Sequence, residues 1–264
     1  MARIGFIGAG NMAEAIIRGI LGNRLYAGHE ILVYDANPQR MDYMVETYKV
    51  VPAASNEEMA ERAALLVLAV KPQVAPSVLP SVAPHIDGDQ SIVSILAGWS
   101  LETLRGYFRK GSLVRVMPNM PALVGQGMSA ISFEPSASEA LKKTVLDIFA
   151  ATGEVEVLPE HQLDAAGALS GSGPAYVACF MEALADAGVR EGLPRATAYR
   201  LAAQTLKGTA AVQLETGKLP AEIKDMVCSP GGTSIVGVYE LERGRMRAAV
   251  IDAVHGAVLR TKEL

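Results

Sequence analysis

The chain has 264 residues, half of them hydrophobic but only 5% aromatic, with a formal net charge of −4 and an isoelectric point near 5.7. A chain of this length fits one large domain or two modest ones and buries roughly 70–75% of its unfolded surface without disulfide or metal staples. Its acidic balance offers no basic face to nucleic acid or anionic lipid, and its two distant cysteines, Cys179 and Cys228, and four scattered histidines form no zinc or redox motif.

Read in order, the apolar run Ile4–Ile7 predicts a buried parallel strand that breaks at Gly8-Ala9-Gly10. A helix then follows, with apolar positions at Met12, Ile16, Ile17 and Ile20. Strand, glycine turn and helix start form an anion site, because glycines let a pyrophosphate approach the backbone while first-turn N–H groups and the helix dipole face it. The spacing G-x-G-x-x-A is the alanine variant of the dinucleotide fingerprint. A second strand, Glu30–Tyr34, ends in Asp35 at about the distance such a fingerprint requires. Pro38–Tyr48 is predicted helical, with Asn37 as cap and Pro38 at the first helical position. Ser55-Asn56-Glu57-Glu58 has the form of a capping box. Strands are predicted at Leu65–Val70, Ser91–Leu96, Leu113–Met117, Met128–Phe133 and Glu154–Val157, with helices Leu101–Phe108 and Ser138–Ala150 between them. This alternation predicts a doubly wound, mostly parallel sheet.

Near residue 160 the pattern changes. Helices are predicted at Gln162–Leu169, Pro174–Glu191, Pro194–Thr216, Pro220–Val227, Ser234–Glu242 and Arg245–Thr261, with prolines near several starts and Gly217 and Gly244 at stops. The chain therefore reads as a dinucleotide-binding domain over 1–159 and an all-helical domain over 160–264. The apolar surface of the second half predicts either burial against another subunit or a self-contained helical bundle. The longest apolar run, Ala63–Val70, is too short to span a bilayer. The first residues lead into a strand and leave no room for a signal peptide, so cytoplasm is the expected compartment.

In a doubly wound sheet, ligands bind beyond the carboxyl ends of the strands. Gly8–Met12, Asp35–Arg40, Ala69-Val70-Lys71-Pro72 and Ala97-Gly98 fall there. The first would hold the pyrophosphate and the second would lie at the adenosine ribose. A carboxylate there favours the free 2′-hydroxyl of NAD and an arginine can accept the 2′-phosphate of NADP, so Asp35 and Arg40 point in opposite directions. In the helical half, three glycines within Gly167–Tyr176 predict either a break capped by Ser172 or Gly173, or a close backbone approach. Cys228-Ser229-Pro230-Gly231-Gly232-Thr233-Ser234 predicts a second anion site built from the N–H groups of Gly232, Thr233 and Ser234 and the hydroxyls of Ser229 and Ser234. Plain capping by Thr233 or Ser234 is the alternative.

Four motifs occur in order: Gly5-Phe6-Ile7-Gly8-Ala9-Gly10-Asn11-Met12-Ala13, Ala69-Val70-Lys71-Pro72, Leu169-Ser170-Gly171-Ser172-Gly173-Pro174-Ala175-Tyr176 and Ser229-Pro230-Gly231-Gly232. On these motifs the chain, from residue 3 to about 262, resembles the pyrroline-5-carboxylate reductases. The resemblance implies a Rossmann-type domain followed by a helical dimerisation domain, and reduction of L-1-pyrroline-5-carboxylate to L-proline by NADH or NADPH. It further implies that Gly8, Ala9, Gly10, Asn11, Met12, Asn56, Ala69, Val70, Lys71, Pro72 and Ala97 contact the cofactor. Ser229, Gly231, Gly232, Thr233 and Ser234 would hold the substrate carboxylate, with Ser234, where the family commonly has threonine, donating to the ring nitrogen. An intertwined homodimer, often assembled as a ring of five dimers, is also implied, and no metal. The hydroxyacid dehydrogenases of similar plan carry a lysine in the glycine-rich helix, and 167–180 contains none.

Overall fold

The computed structural model describes residues 2–263. It forms two compact units, one comprising Met1–Ser172 with Gly256–Leu264 and the other Gly173–His255.

The first unit is built on an eight-stranded sheet: β1 (Ala2–Ile7), β2 (Ile31–Tyr34), β3 (Val51–Pro52), β4 (Ala63–Leu68), β5 (Ser91–Ser94), β6 (Ser112–Met117), β7 (Gly127–Phe133) and β8 (Gly153–Val157). The order is β3-β2-β1-β4-β5-β6-β7-β8. Every neighbouring pair is parallel except β6 with β7, which run antiparallel. The first six strands thus follow the dinucleotide-binding order, with the reversal between β1 and β4. Helices α1 (Asn11–Gly22), α2 (Pro38–Tyr48), α3 (Asn56–Arg62), α4 (Ala75–Val82), α5 (Leu101–Tyr107) and α6 (Glu139–Ala150) connect them.

The sheet is apolar on both faces because helices cover both. On one face Ile16, Ile17, Ile20, Met44, Val145 and Phe149 pack over Phe6, Val33 and Val67. On the other, Met59, Leu79, Val82, Leu104 and Phe108 pack over Ile7, Leu32, Leu66 and Ile92. Each such fully buried side chain contributes about 1.5–3 kcal/mol, so the two layers account for the burial that the composition anticipated.

Several boundaries differ from the sequence reading. The most apolar strand begins at Ala63 and ends at Leu68, not Val70, since its partner β1 ends at Ile7 and the last paired residues are Ile7 and Leu68. The capping box is displaced by one residue: Ser55 accepts from the Glu58 N–H at 3.2 Å, but Glu58 reaches back to the N–H of Ala54, not Ser55, at 2.6 Å. Pro76 and Pro80 hide the period of α4, whose Ala75, Leu79 and Val82 are nevertheless buried.

Among the described residues no strand follows β8. The segment leading out of the sheet is short helix, α7 (Leu163–Ala166), then a π turn over Gly167–Gly171. Ser172 remains helical and donates to the Gly167 carbonyl at 3.0 Å. The predicted capped break is therefore a widened turn, a form frequent at functional sites. A Cβ on Gly167 would lie 2.9 Å from Met117 Cε, the mobile end of that side chain. Arg115 on β6 is buried and pairs with Asp164 at 2.7 Å, tying this segment to the sheet.

The second unit holds α8 (Gly173–Arg190), α9 (Arg195–Thr216), α10 (Pro220–Val227), α11 (Thr233–Arg243) and the start of α12 (Met246–Thr261). Helices α8 and α9 meet through Ala185, Ala198 and Ala202, small residues that allow close approach. Large apolar side chains, among them Leu214, Met226, Val236 and Tyr239, are exposed on the single chain. An apolar surface of this kind marks an interaction face. Among the described residues no helix is long and apolar enough to cross a membrane.

Candidate functional site

The carboxyl edge of β1, β2 and β4 opens onto a cavity of about 330 Å³. Of the residues predicted to meet the cofactor, Gly8, Gly10, Asp35, Asn56, Ala69, Val70 and Lys71 line it. Ala9, Asn11, Met12, Pro72, Ala97 and Gly98 do not. Ala97 and Gly98 follow β5, one strand further along the sheet, and Gly98 turns there with φ +77°. The wall also includes Val74 and Val78, which the sequence reading misses. Their i, i+4 spacing was the available signal, masked by the prolines around it.

The glycines have different reasons. Gly8 has φ +96°, and a Cβ there would lie 2.7 Å from the Ala69 carbonyl oxygen and 2.9 Å from the Val70 nitrogen. Only glycine lets β1 turn over the exit of β4. Gly10 caps α1 in extended conformation with no side-chain cap bond, and a Cβ on it would meet nothing within 4 Å. It therefore keeps open the space in front of the helix N-terminus, where unpaired N–H groups and the helix dipole favour an anion.

Beyond the end of β2, Asp35 and Arg40 are held by different partners. Asp35 accepts from the Ala9 N–H at 2.8 Å and the Asn37 N–H at 2.9 Å, so its carboxylate is fixed at the mouth of the glycine turn. Asn56 Oδ1 is buried without a partner, an acceptor facing a donor that the protein does not supply. Arg40 is not in the cavity lining. Its Nε donates to the Ala9 carbonyl and its Nη2 to Glu14, while its guanidinium lies 5.0 Å from the Tyr43 ring. Glu14 also accepts from the hydroxyls of Tyr43 at 2.8 Å and Tyr48 at 2.7 Å. Burial pushes the Glu14 carboxyl up, but the bonds from Arg40, Tyr48 and Tyr43 outweigh it and hold it below the usual carboxylate range.

In the second unit, α10 and α11 are joined by Cys228–Gly232. The Gly232 N–H donates to the Ser229 carbonyl at 3.0 Å, and Gly231 has φ +69°. Proline second and a positive-φ glycine third is the pattern of a type II turn. Two expectations change here. Gly232, not Thr233 or Ser234, caps α11, and it makes no side-chain cap bond. Both hydroxyl residues thus lie inside the first helical turn, their side chains not used for capping. The Gly232 N–H is spent within the turn, which leaves those of Thr233 and Ser234 at the helix start without an intrahelical acceptor. Ser234 is half-buried and, with Cys228 and Lys224, lines an apolar groove of about 680 Å³ formed by Val177, Leu206 and Ile223. Ser229, Gly231, Gly232 and Thr233 stand outside the groove lining. Among the described residues no group of His, Cys, Asp or Glu could hold a metal ion.

Sheet order, glycine turn and open helix start define a dinucleotide-binding protein of the Rossmann class, and comparison with known proteins makes the assignment particular. Residues 160–264 match the family model "Pyrroline-5-carboxylate reductase dimerisation", and residues 3–98 match "NADP oxidoreductase coenzyme F420-dependent". The pyrroline-5-carboxylate reductase of Synechocystis is 46% identical over 262 residues, covering 99% of this chain and 98% of the relative. That of Escherichia coli is 40% identical over 265 residues, with the same coverage. The crystal structure of Plasmodium falciparum pyrroline carboxylate reductase with NADP bound superposes with a TM-score of 0.90 at 33% identity, covering 99% of this chain and 97% of that one. The chain belongs to the pyrroline-5-carboxylate reductase family, and its helical half is that family's dimerisation domain.

Proposed function

We infer that the protein reduces L-1-pyrroline-5-carboxylate to L-proline with NADH or NADPH. The reading is supported by membership of this family together with two helix starts that carry no side-chain cap bond. One stands at the glycine turn and the other follows the Ser229–Gly232 turn, where neither the Thr233 nor the Ser234 hydroxyl is used for capping.

The residues of the first unit fit a dinucleotide. Gly8 brings β1 over β4, Gly10 leaves room for a diphosphate, and the orphaned Asn56 oxygen awaits a donor. When bound, the dinucleotide supplies the hydride. The protein's part is binding and orientation. Substrate carboxylate is held by the first-turn N–H groups of Thr233 and Ser234 within the loop Ser229–Ser234. The Ser234 hydroxyl donates a hydrogen bond to the lone pair of the neutral imine nitrogen, which takes a proton from solvent as hydride reaches the carbon. An imine that protonates near neutral pH needs no strong general acid, so positioning supplies much of the acceleration.

Residues 1–159 serve as the dinucleotide domain and 160–264 as the substrate-binding and dimerisation domain. The reading extends to a homodimer that assembles further into a decamer, acting in the cytoplasm on a small molecule. Steady-state oxidation of each reduced cofactor with pyrroline-5-carboxylate tests the assignment. No oxidation of either cofactor would sink it and favour a nucleotide sensor. Ser234→Ala is expected to lower kcat by about 10–100-fold, the weight of one hydrogen bond to a charged group, with dinucleotide affinity unchanged. A kcat within twofold of the unaltered protein would remove the hydroxyl from the chemistry.

A further inference from the structure

We propose that Glu14 sets the choice of dinucleotide by acting through Arg40. It holds that guanidinium against the glycine turn, outside the cavity lining, so that the ribose corner carries no cation and the protein favours a cofactor with a free 2′-hydroxyl over one with a 2′-phosphate. This rests on the dinucleotide reading of the cavity given above.

A 2′-phosphate brings about −1.5 to −2 charge at neutral pH and three strong acceptors. It requires donors, and an arginine near the end of β2 is the usual source. Arg40 is the residue of that type in reach, on the first turn of α2. Its side-chain bonds run to the Ala9 carbonyl and to Glu14, and its guanidinium carbon lies 5.0 Å from the Tyr43 ring centroid. Glu14 is itself pinned by the Tyr43 and Tyr48 hydroxyls, so the pair is anchored at both ends. The two side chains are only 22% and 17% exposed, which shields the pair from salt.

What remains at the corner is acceptor-rich: the Asp35 carboxylate and the unpartnered Asn56 Oδ1. Ribose hydroxyls can donate to the Asp35 carboxylate, whereas a phosphate would confront a like charge there. The one cation in the cavity lining among the described residues is Lys71. It follows β4, and β1 lies between β4 and β2. Glu14 has no place in the glycine fingerprint, and only its contacts reveal it as a positioning residue.

The test is calorimetric binding of NAD⁺ and NADP⁺ to the full-length protein, with no imine present. The unaltered protein is expected to bind NAD⁺ at least about tenfold more tightly. Glu14→Gln frees Arg40 and should improve NADP⁺ affinity relative to NAD⁺ by about tenfold, the weight of one hydrogen bond to a charged group. Arg40→Gln alone should leave the ratio as it is, and combined with Glu14→Gln it should cancel the gain. A merely structural role for Glu14 would weaken both dinucleotides together. Equal affinities in the unaltered protein, a selective loss of NADP⁺ in Arg40→Gln, or a ratio unmoved in folded Glu14→Gln each overturn the proposal. Should Glu14→Gln fail to fold, the unaltered protein and Arg40→Gln decide it alone. A protein that binds both dinucleotides in the expected ratio but reduces no imine would refute the reductase reading and leave this inference standing.

Discussion

Gly8→Ala abolishes useful dinucleotide binding and lowers thermal stability. The new Cβ would stand 2.7, 2.8 and 2.9 Å from the Ala69 oxygen, the Ala69 carbon and the Val70 nitrogen. All three are backbone atoms, so no side-chain rotation relieves the clash, and φ +96° is itself unfavourable for alanine. Either β1 or the exit of β4 must shift. The strain amounts to about 1–3 kcal/mol, or about 2–12 °C in Tm for a unit of this size. Because the displaced segments carry Gly10 and Lys71 on the cavity wall, and the Ala9 N–H that holds Asp35, the dinucleotide Kd should rise at least about 100-fold, equivalent to losing about 3 kcal/mol of contacts. Gly10→Ala is the informative control: it has room in the protein and no strained φ, so Tm should hold while binding falls. Calorimetry and thermal melts on both variants check this. Unimpaired binding in Gly8→Ala would mean that the turn does not shape the site.

Gly232→Val raises the KM for pyrroline-5-carboxylate by at least about 100-fold, the loss expected when two hydrogen bonds to a carboxylate fail. A Cβ at 232 would collide with the Ser229 hydroxyl and lie 3.2 Å from the Ser229 carbonyl oxygen, the same oxygen that the Gly232 N–H uses to close the turn. Valine adds a branched side chain at that point and opens the loop, so the N–H groups of Thr233 and Ser234 lose their alignment. Dinucleotide affinity should stay within about twofold, because no residue of this loop lines the glycine-turn cavity. Steady-state kinetics with varied imine, alongside cofactor binding, separates the two effects. An unchanged KM would take the loop out of the substrate site.

Elements whose ends are fixed by local chemistry were legible in the sequence. Helix α2 runs from Pro38 to Tyr48 and α10 from Pro220 to Val227, as their prolines and caps predict. The fold class followed from the alternation of strands and helices, and the order of the β-strands agrees with it. Features that depend on a distant partner were read less well. The end of β4 is decided by where β1 stops, and α4 is helical because Ala75, Leu79 and Val82 find a sheet to cover, despite its prolines. The glycine-rich stretch after residue 166 reads as a break, but it keeps its hydrogen bonds by widening into a π turn.

By itself the sequence determined the glycine turn, the Ser-Pro-Gly-Gly turn and the family to which both belong, since each depends on backbone geometry within four or five residues. It also presented Asp35 and Arg40 as equal and opposite candidates at the ribose. Only the tertiary structure shows what each of them touches. Asp35 reaches Ala9 across 26 positions, while Arg40 reaches Ala9 across 31 and Glu14 across 26. Those pairings exist because α1 and α2 pack on the same face of the sheet. A charge takes whichever partner the packed chain brings within reach, and no local pattern encodes that choice.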